Sequence, residues 1–408
     1  MKNYILLSAF LLSTTTIFGQ QNQVESDSTK TQTLEEVLVQ SVRVKPNAPI
    51  THSNLTKAQL QSRNLGQDLP ILLNYLPSVV TTSDAGAGIG YTGIRVRGVS
   101  PLSTNVTING IPFTDAESLG AFWVNMPDFT SSVESLQLQR GVGTSTNGSG
   151  AFGASVNILT DASSYMPTAE VSNSFGSYNT WKHSVKFSTG KINDVFELSG
   201  RLSTINSDGY VDRAFSDLKS YFLQGTYNNN GTLIKALVFG GHEKTYQSWE
   251  GLTKQQLEDD RRQNPYTYEN EIDNYKQDHY QLHWNQKLNQ NWSTNLGLNY
   301  TYGRGYYEQY REDDAVSTYG GIVEATGVDF YGTAVTDLIR RRWLDNDFYV
   351  INATANYKES DLNLIVGGSY SNYDGDHFGE VIWARQFASE TSIRDQYYFG
   401  NGKKTDFS

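Results

Sequence analysis

The stretch "SVESLQLQRGVGTSTNGSGAFGASVNILT", residues 132–160, places five glycines between two segments of β-type residues. A glycine-rich segment of this kind either holds a phosphate group or lets the backbone turn tightly in a crowded interior. A phosphate loop ends in Gly-Lys-Ser or Gly-Lys-Thr at the start of a helix. Because residues 131–160 contain no lysine, the sequence argues against a phosphate loop and predicts a hinge packed against a larger structure.

The composition of the 408 residues is that of a β-rich protein. Tyrosine occurs 26 times and glycine 36 times, and aromatic residues favour strands. There is no cysteine, which excludes disulfides, thiolate metal sites and a lipid-anchoring cysteine. The formal net charge of −11 argues against a nucleic-acid partner held by bulk positive charge.

The N-terminus, "MKNYILLSAFLLSTTTIFG", predicts a secretory signal peptide over residues 1–20. Lys2 supplies the positive start, and the apolar run from Tyr4 to Leu12 is too short for a transmembrane helix. Residues 21–33 are polar without an apolar period and predict a disordered linker, which extends to residue 44. The protein is therefore expected to be exported.

Residues 45–162 read as a compact mixed α/β domain. Segments 56–63 and 66–75 have helical patterns, with Asn54 as the predicted cap of the first and Pro77 as the stop of the second. Segments 93–99, 105–112 and 132–141 alternate as strands do.

From about residue 165 onward the chain becomes a series of amphipathic strands. "WKHSVKFST" places Trp181, His183, Val185 and Phe187 on one face and lysines and serines on the other. Short turns at 189–194, 228–231, 288–291 and 358–361 alternate with long polar loops at 206–219, 247–274, 303–346 and from 373 onward. This alternation is typical of an outer-membrane β-barrel, whose short turns face the periplasm.

These patterns predict a mixed α/β domain followed by an antiparallel transmembrane β-barrel over residues 163–408. We count about nine strands, whereas a closed single-chain bacterial barrel has an even number. The final "KKTDFS" lacks the aromatic strand that usually ends such barrels. We therefore expect the barrel to be incomplete in this chain and the chain to be a fragment.

Four stretches resemble the TonB-dependent outer-membrane receptors, in the family's order: "TLEEVLVQSVR", "GIRVRGV", "NVTINGIPFTDAES" and the opening stretch from Val133. The resemblance implies a plug domain at 45–162 and the first part of a barrel of about 22 strands. In that reading the glycine stretch leads from the plug into the first barrel strand.

The resemblance also implies a TonB box in the linker. A short β-prone segment after a disordered linker can add as a strand to the sheet edge of a partner, here TonB with its inner-membrane energy complex. An ordinary edge strand is the alternative interpretation. The box consists of Leu34, Glu35, Glu36, Val37, Leu38 and Val39.

Two further sets of residues follow from the resemblance. Arg97, Glu134 and Arg140 are expected to lock the plug to barrel carboxylates located beyond this chain, with solvated arginines as the alternative. Tyr91 and the pair Phe122 and Trp123 lie on predicted plug loops and are candidate ligand contacts, with packed aromatics as the alternative.

The function implied is TonB-dependent import of a scarce ligand across the outer membrane of a Gram-negative bacterium. The family's commonest cargo is an iron–siderophore or similar metal chelate; haem, cobalamin or an oligosaccharide are alternatives. Outer-membrane lipid is an expected neighbour. A secreted β-rich adhesin or glycan-binding protein would explain the signal peptide and aromatics but not the four stretches. No catalytic, metal or cofactor motif is found in the sequence, so we expect no enzyme.

Overall fold

The computed structural model describes residues 43–44, 49–142, 152–360 and 362–408. The signal segment, linker residues 21–42 with the box, and the central glycines of the opening stretch lie outside these ranges. Within the described ranges, no helix combines the length and apolar character needed to span a membrane. The described residues form a small mixed domain, called the plug (49–162), and a large antiparallel sheet, called the wall (168–407).

The plug is built on a five-stranded sheet with the order β1-β6-β7-β4-β5, in which only β4 and β7 are parallel. A separate hairpin joins β2 to β3. The strands are β1 (His52–Thr56), β2 (Val79–Ser83), β3 (Thr92–Val96), β4 (Thr104–Ile108), β5 (Ile111–Pro112), β6 (Val133–Arg140) and β7 (Ala154–Thr160). The opening stretch thus folds as two paired strands, β6 and β7, joined by the glycine segment.

The plug helices are shorter than the sequence pattern indicates. They are α1 (Lys57–Gln61) and α2 (Leu69–Leu72). Asn54 was the wrong cap, because it lies in β1 opposite Gln137, and Thr56 caps α1 through a capping box with Gln59. Sheet pairing of the preceding residues decides where α1 begins.

The wall is a sheet whose strands are antiparallel neighbours in chain order. Its strands are β8 (Thr168–Gly176), β9 (Thr180–Ser188), β10 (Phe196–Ser207), β11 (Ser216–Asn229), β12 (Thr232–Tyr246), β13 (Ile272–Lys287), β14 (Trp292–Ala315), the two-residue β15 (Gly327–Val328), β16 (Ala334–Glu359), β17 (Leu362–Ala384) and β18 (Gln396–Phe407). β8 and β18 are its edges, and β15 pairs only with β16.

The wall has ten full strands, not about nine, and several are much longer than the sequence pattern indicates. β14 and β16 contain 24 and 26 residues and run through most of the segment 303–346, which alternation marks as loop. β18 occupies the segment that includes "KKTDFS". In these outer portions both faces of the sheet carry polar side chains, so the apolar–polar alternation that reveals a strand is lost.

The faces of the wall are inverted relative to a soluble sheet. Trp181, Val185 and Phe187 are 43%, 53% and 41% exposed, whereas Lys182 between them is 1% exposed. The same holds along β10, where Leu202 is exposed and its neighbour Arg201 is buried. Apolar side chains facing outward and polar ones facing inward are typical of a sheet whose outer face meets lipid.

The plug packs against the inner, polar face of the wall. Phe129 of the plug lies 6.1 Å from the ring of Phe222 and 5.2 Å from that of Phe239. The backbone approaches closely at Gly241, where an added Cβ would come within 2.3 Å of the carbonyl oxygen of Asn125. A larger residue at 241 would therefore push the plug off the wall.

The outer ends of the long strands carry a second apolar core. The loops 316–333 and 385–395 fold onto β16 and β17, and Tyr319, Leu338 and Val381 are fully buried there. Arg340 donates a hydrogen bond to the hydroxyl of Tyr319 at 3.1 Å. The Tyr319 hydroxyl in turn donates to the carboxylate of Asp314 at 2.8 Å. These loops are thus folded extensions of the sheet.

Leu298 tests the lipid-facing side of the wall. It is 37% exposed and pairs with Leu282 and Ile351, which also face outward. We expect Leu298→Arg to destabilise the protein in a bilayer by about 1–3 kcal/mol, because a charge inside the apolar band must be removed from water and the cost falls from the midplane towards the interface. Urea unfolding in lipid vesicles measures this change. The same substitution at Leu257, exposed on helix α3 (Lys254–Asp259) in the loop after β12, should be near neutral. Equal effects at both positions would contradict a lipid-facing surface.

Candidate functional site

A cavity of about 540 Å³ lies between the plug and the outer half of the wall. Tyr91 and Phe122 line it from the plug side. Together with Trp123 they also line a smaller neighbouring cavity of about 220 Å³. Trp123 is only 4% exposed and packs beside Phe113, so it belongs mainly to the plug core. The structure thus brings the three candidate aromatics together, with two of them at the larger cavity.

Aromatic side chains dominate the walls of the larger cavity. The edge of Tyr91 meets Trp249 at 5.3 Å, and Trp249 meets Tyr307 at 5.7 Å. These contacts join a plug loop, the loop after β12 and strand β14 in one aromatic surface. The aromatic lining residues are Tyr91, Phe113, Phe122, Trp249, Tyr275, Tyr306, Tyr307, Trp343 and Tyr398.

Tyr91 fixes the plug side of the cavity to the wall. Its hydroxyl donates a hydrogen bond to the carboxylate of Asp273 on β13. Burial raises the pKa of Tyr91 well above its usual value, and the negative charges of Asp273 and Glu243 raise it further. Tyr91 therefore remains protonated and acts as a donor, which holds the loop 84–91 against the wall.

The ionisable groups that line the cavity are four carboxylates and two basic side chains: Asp84, Asp115, Glu243, Asp273, Arg342 and His377. Arg342 lies 5.5 Å from the ring centres of Tyr307 and Tyr398 and donates to the Tyr398 hydroxyl at 3.2 Å. His377 contacts Glu117 of the plug at 2.7 Å. The described residues contain no cluster of three or more acidic or histidine side chains arranged to hold a metal ion. The cavity is suited to a ligand with flat or apolar groups rather than to a bare ion.

Shortly before β6, Asp128 is held by the wall in a fully buried ion-pair cluster. Lys182 Nζ lies 2.5 Å from one carboxylate oxygen, and Arg201 Nη1 lies 3.1 Å from the other. Ser203 donates to the same carboxylate at 2.7 Å and Ser131 at 2.6 Å. The cluster joins the turn before β6 to strands β9 and β10.

The charges around Asp128 keep it ionised. Burial alone opposes ionisation, but the positive charges of Arg201 and Lys182 outweigh it and lower the pKa to about 2. A depressed folded-state pKa means that the stabilisation is complete above the ordinary aspartate pKa of about 4. We therefore expect this contribution to be lost as the pH falls from about 4 towards 2.

A second carboxylate, Asp161, extends the contact towards β12. It lies 2.5 Å from Lys186 of the wall and 2.6 Å from Lys57 of the plug. Its backbone carbonyl accepts from Gln224 at 3.0 Å and from Lys235 at 3.1 Å. Asp161 therefore anchors the point where the chain leaves the plug and enters the wall.

The predicted lock residues have other contacts in the described structure. Arg140 donates to the Pro77 carbonyl at 3.0 Å and to the Ser53 hydroxyl at 2.9 Å, both within the plug. Glu134 lies 3.3 Å from plug residue Lys57. Arg97 is exposed and has a left-handed backbone. A lock formed with carboxylates beyond this chain stays a prediction, as does the TonB box at 34–39, which lies outside the described residues.

The ion pairs that do join plug and wall have the opposite polarity, with acids on the plug and bases on the wall. Sequence reasoning missed Asp128 and Asp161 because their partners are distant in the chain. A signal was present in "WKHSVKFST", where Lys182 and Lys186 share the polar face. In a lipid-facing strand that face points inward, so its lysines need acidic partners in the interior.

Comparison with known proteins places these features in a family context. Residues 45–155 match the family model described as TonB-dependent Receptor Plug Domain. A probable TonB-dependent siderophore receptor PirA from Acinetobacter baumannii is 25% identical over 224 residues, which cover 52% of this chain and 28% of PirA.

Solved structures share the fold. The ferric-catecholate import receptor Fiu from E. coli K12, in its closed form, matches 88% of this chain with a TM-score of 0.65 and 12% identity. The ferric citrate transporter FecA in its unliganded form matches 85% of this chain, with a TM-score of 0.59 and 15% identity. The matched regions are 53% of the Fiu chain and 51% of the FecA chain, so this chain spans about half the length of these proteins.

Asp128→Asn tests the ion-pair cluster. Asparagine keeps the shape and tolerates the left-handed backbone at this position, where φ is 52°. The change removes the negative charge and leaves Lys182 and Arg201 buried without it. We expect a loss of about 3–5 kcal/mol in the free energy of unfolding, measured by denaturant titration. Asp194→Asn is the matched control. Asp194 also has a left-handed backbone conformation, with φ 61°, but it is exposed in a short turn. Similar losses in the two variants would show that the cluster contributes nothing of its own.

Proposed function

Because residues 45–155 are the plug domain of a TonB-dependent receptor and the strands that follow belong to the receptor barrel, we propose that this protein imports a metal chelate of the siderophore class across the outer membrane. The cavity between plug and wall carries the proposal. It lies on the side of the long loops, and plug residues form part of its surface, so ligand binding and plug movement can be coupled.

The aromatic surface suits such a ligand. Metal chelates of this class present flat or apolar groups around the bound ion, and aromatic side chains bind such groups with large contact area and little loss of side-chain freedom. In the proposal, Tyr91 and Phe122 contact the ligand from the plug, and Trp249 and Tyr307 contact it from the wall. The burial of Trp123 favours a packing role for that residue.

The names of the related proteins support this class of cargo. PirA is named as a siderophore receptor, and Fiu and FecA as importers of ferric catecholates and ferric citrate. The adhesin alternative finds no support, since a secreted adhesin has no use for a plug domain. No catalytic step is assigned to the chain.

The proposal assigns four segments: a signal peptide at 1–20, a linker with the TonB box at 21–44, the plug at 45–162 and the barrel wall from 163 onward. TonB is the partner that binds the box on the periplasmic side and pulls on the plug. The wall strands lie in the outer membrane with the short turns towards the periplasm.

Trp249→Ala tests the cavity. We expect the affinity for a ferric chelate to fall about tenfold or more, because a central aromatic contact is worth about 2 kcal/mol. Fluorescence titration with ferric hydroxamate, ferric catecholate and ferric citrate chelates identifies the bound class and measures the change. Trp292→Ala is the control, since Trp292 lies 41% exposed on the outer face near a short turn. Failure of the unmodified protein to bind any of the three chelates would contradict the proposed cargo.

Val37→Pro tests the box separately from the cavity. Proline cannot donate the backbone hydrogen bond that a strand added to a partner sheet requires. We expect uptake of radiolabelled iron by cells to be abolished while chelate binding at the cell surface is unchanged. Val24→Pro, in the polar linker, should leave both intact. Normal uptake by the Val37→Pro variant would argue against TonB acting at this segment.

A further inference from the structure

The ionisable lining of the cavity is predominantly acidic, with four carboxylates against two basic side chains. One of the two bases, His377, is already paired at 2.7 Å with Glu117, which does not line the cavity. The other, Arg342, donates to the hydroxyl of Tyr398 at 3.2 Å. In the part of the chain that the structure describes, Arg342 is thus the one lining base without a carboxylate partner.

The four carboxylates have only neutral donors. Asp273 accepts from the hydroxyl of Tyr91, and Glu243 accepts from the hydroxyl of Thr245 at 3.2 Å. Among the described residues, none of the four forms an ion pair with a lysine, arginine or histidine. The acids that join plug and wall, by contrast, each have a basic partner. Because negative charge without a counter-ion is unfavourable in a partly dry site, the cavity favours a positively charged group supplied from outside.

Two of the carboxylates, Asp84 and Asp115, are accessible from the cavity and are called the acidic pair. Asp84 is exposed, and its backbone N–H donates to the carbonyl of Tyr91 at 3.0 Å, which fixes it beside the aromatic plug loop. Asp115 is half-buried, and its Oδ1 accepts from the N–H and the hydroxyl of Ser118 at 2.7 Å and 2.8 Å. These contacts hold the Asp115 side chain in place and leave its second oxygen for a ligand.

Asn125 adds a buried acceptor without a donor. It lines the same cavity and is 8% exposed. Its Oδ1 atom has no hydrogen-bond partner within the described ranges. Since a buried polar atom is normally paired, this oxygen favours a ligand that brings its own N–H donors. An ammonium group has three donors and no acceptor, which matches a lining of carboxylate and amide oxygens.

The aromatic rings supply a second kind of contact for a cation. Trp249 lies between Tyr91 and Tyr307, at 5.3 Å and 5.7 Å, and the face of a tryptophan ring is the strongest cation–π acceptor among the side chains. Elsewhere on the lining, Arg304 already lies over Trp343 at 5.5 Å. No lysine or arginine of the described segments lies over Trp249 or Tyr91 in this way. Both rings therefore remain available to a cation on the ligand.

We propose that the chelate bound in this cavity carries an organic cation, of the kind that a primary ammonium arm supplies, and that the acidic pair, Asn125 and Trp249 bind this arm. The inference rests on the proposed import of a metal chelate and adds the charge of the cargo. A ferric trihydroxamate centre is uncharged, so its arms set the charge of the whole chelate. Ferric catecholates and ferric citrate are anionic, and the four carboxylates repel them. The cavity thus selects cationic hydroxamate chelates.

One chelate scaffold in three charge states tests the selection. Ferric desferrioxamine B ends in an ammonium group, its N-acetyl derivative is neutral, and its N-succinyl derivative is anionic. Fluorescence titration of the protein in detergent measures the affinity for each. We expect the affinity to fall about tenfold from the cationic to the neutral chelate, and further for the anionic one. Raising the salt from about 0.05 M to about 0.5 M should weaken binding of the cationic chelate and leave the neutral one unaffected.

The double variant Asp84→Asn/Asp115→Asn assigns the selection to the acidic pair. Asparagine keeps the size of both side chains and the acceptor that Ser118 uses. We expect the affinity for ferric desferrioxamine B to fall about tenfold, while the N-acetyl derivative binds as before. The matched control is Asp208→Asn/Asp260→Asn, which removes the same charge from two exposed carboxylates in long loops that do not line the cavity. The control should keep the full preference for the cation.

The outcomes separate this inference from the proposed import. Equal affinities for the three charge states, or tighter binding of the anionic derivative, of a ferric catecholate or of ferric citrate, would overturn the inference and leave chelate import standing. An unchanged preference in the Asp84→Asn/Asp115→Asn variant, or an equal loss for all three chelates, would overturn it as well, since the acidic pair would then not recognise the cation. Failure to bind any chelate would instead contradict the proposed function itself.

Discussion

The buried carboxylate of Asp128 sets how the plug sits in this protein. Its two oxygens pair with Lys182 and Arg201 of the wall, and none of the three charges has access to water. Removing one partner from such a cluster leaves an uncompensated charge, which costs far more than the cluster contributes as a whole. The contact therefore constrains the position of the plug. If the plug shifted, the two positive charges of the wall would remain buried without a partner.

This constraint follows from the inverted faces of the wall. A strand whose apolar residues face lipid must send its polar residues inward, so the interior of the sheet is lined with charges and amides. The plug supplies the complementary groups. Asp161 and the carbonyl groups around it satisfy Lys186, Lys235 and Gln224. The plug is therefore the counterpart that satisfies the polar inner face of the wall.

The plug meets the wall through two kinds of contact. Asp128 and Asp161, which flank β6 and β7, are held by buried ion pairs, whereas the loop 84–91 and the segment 115–123 meet the wall through hydrogen bonds and aromatic edges around a cavity. Glu117 accepts from Tyr373 at 3.0 Å and contacts His377, and both wall residues lie on β17. Contacts of this kind can rearrange at lower cost than buried ion pairs.

The sequence by itself determined the class of fold. Alternating strands, the glycine segment and the four family stretches were enough for a plug followed by an antiparallel membrane sheet, because periodicity and turn chemistry are local properties. Only the tertiary structure decided the pairing of Asp128 with Lys182 and Arg201 and the position of Tyr91 against Asp273. Each joins residues tens to more than a hundred positions apart, and the packing of the plug against the wall, which no local pattern specifies, brings them together. The outer halves of β14 and β16 also needed the structure, because both of their faces are polar and the periodic signal disappears.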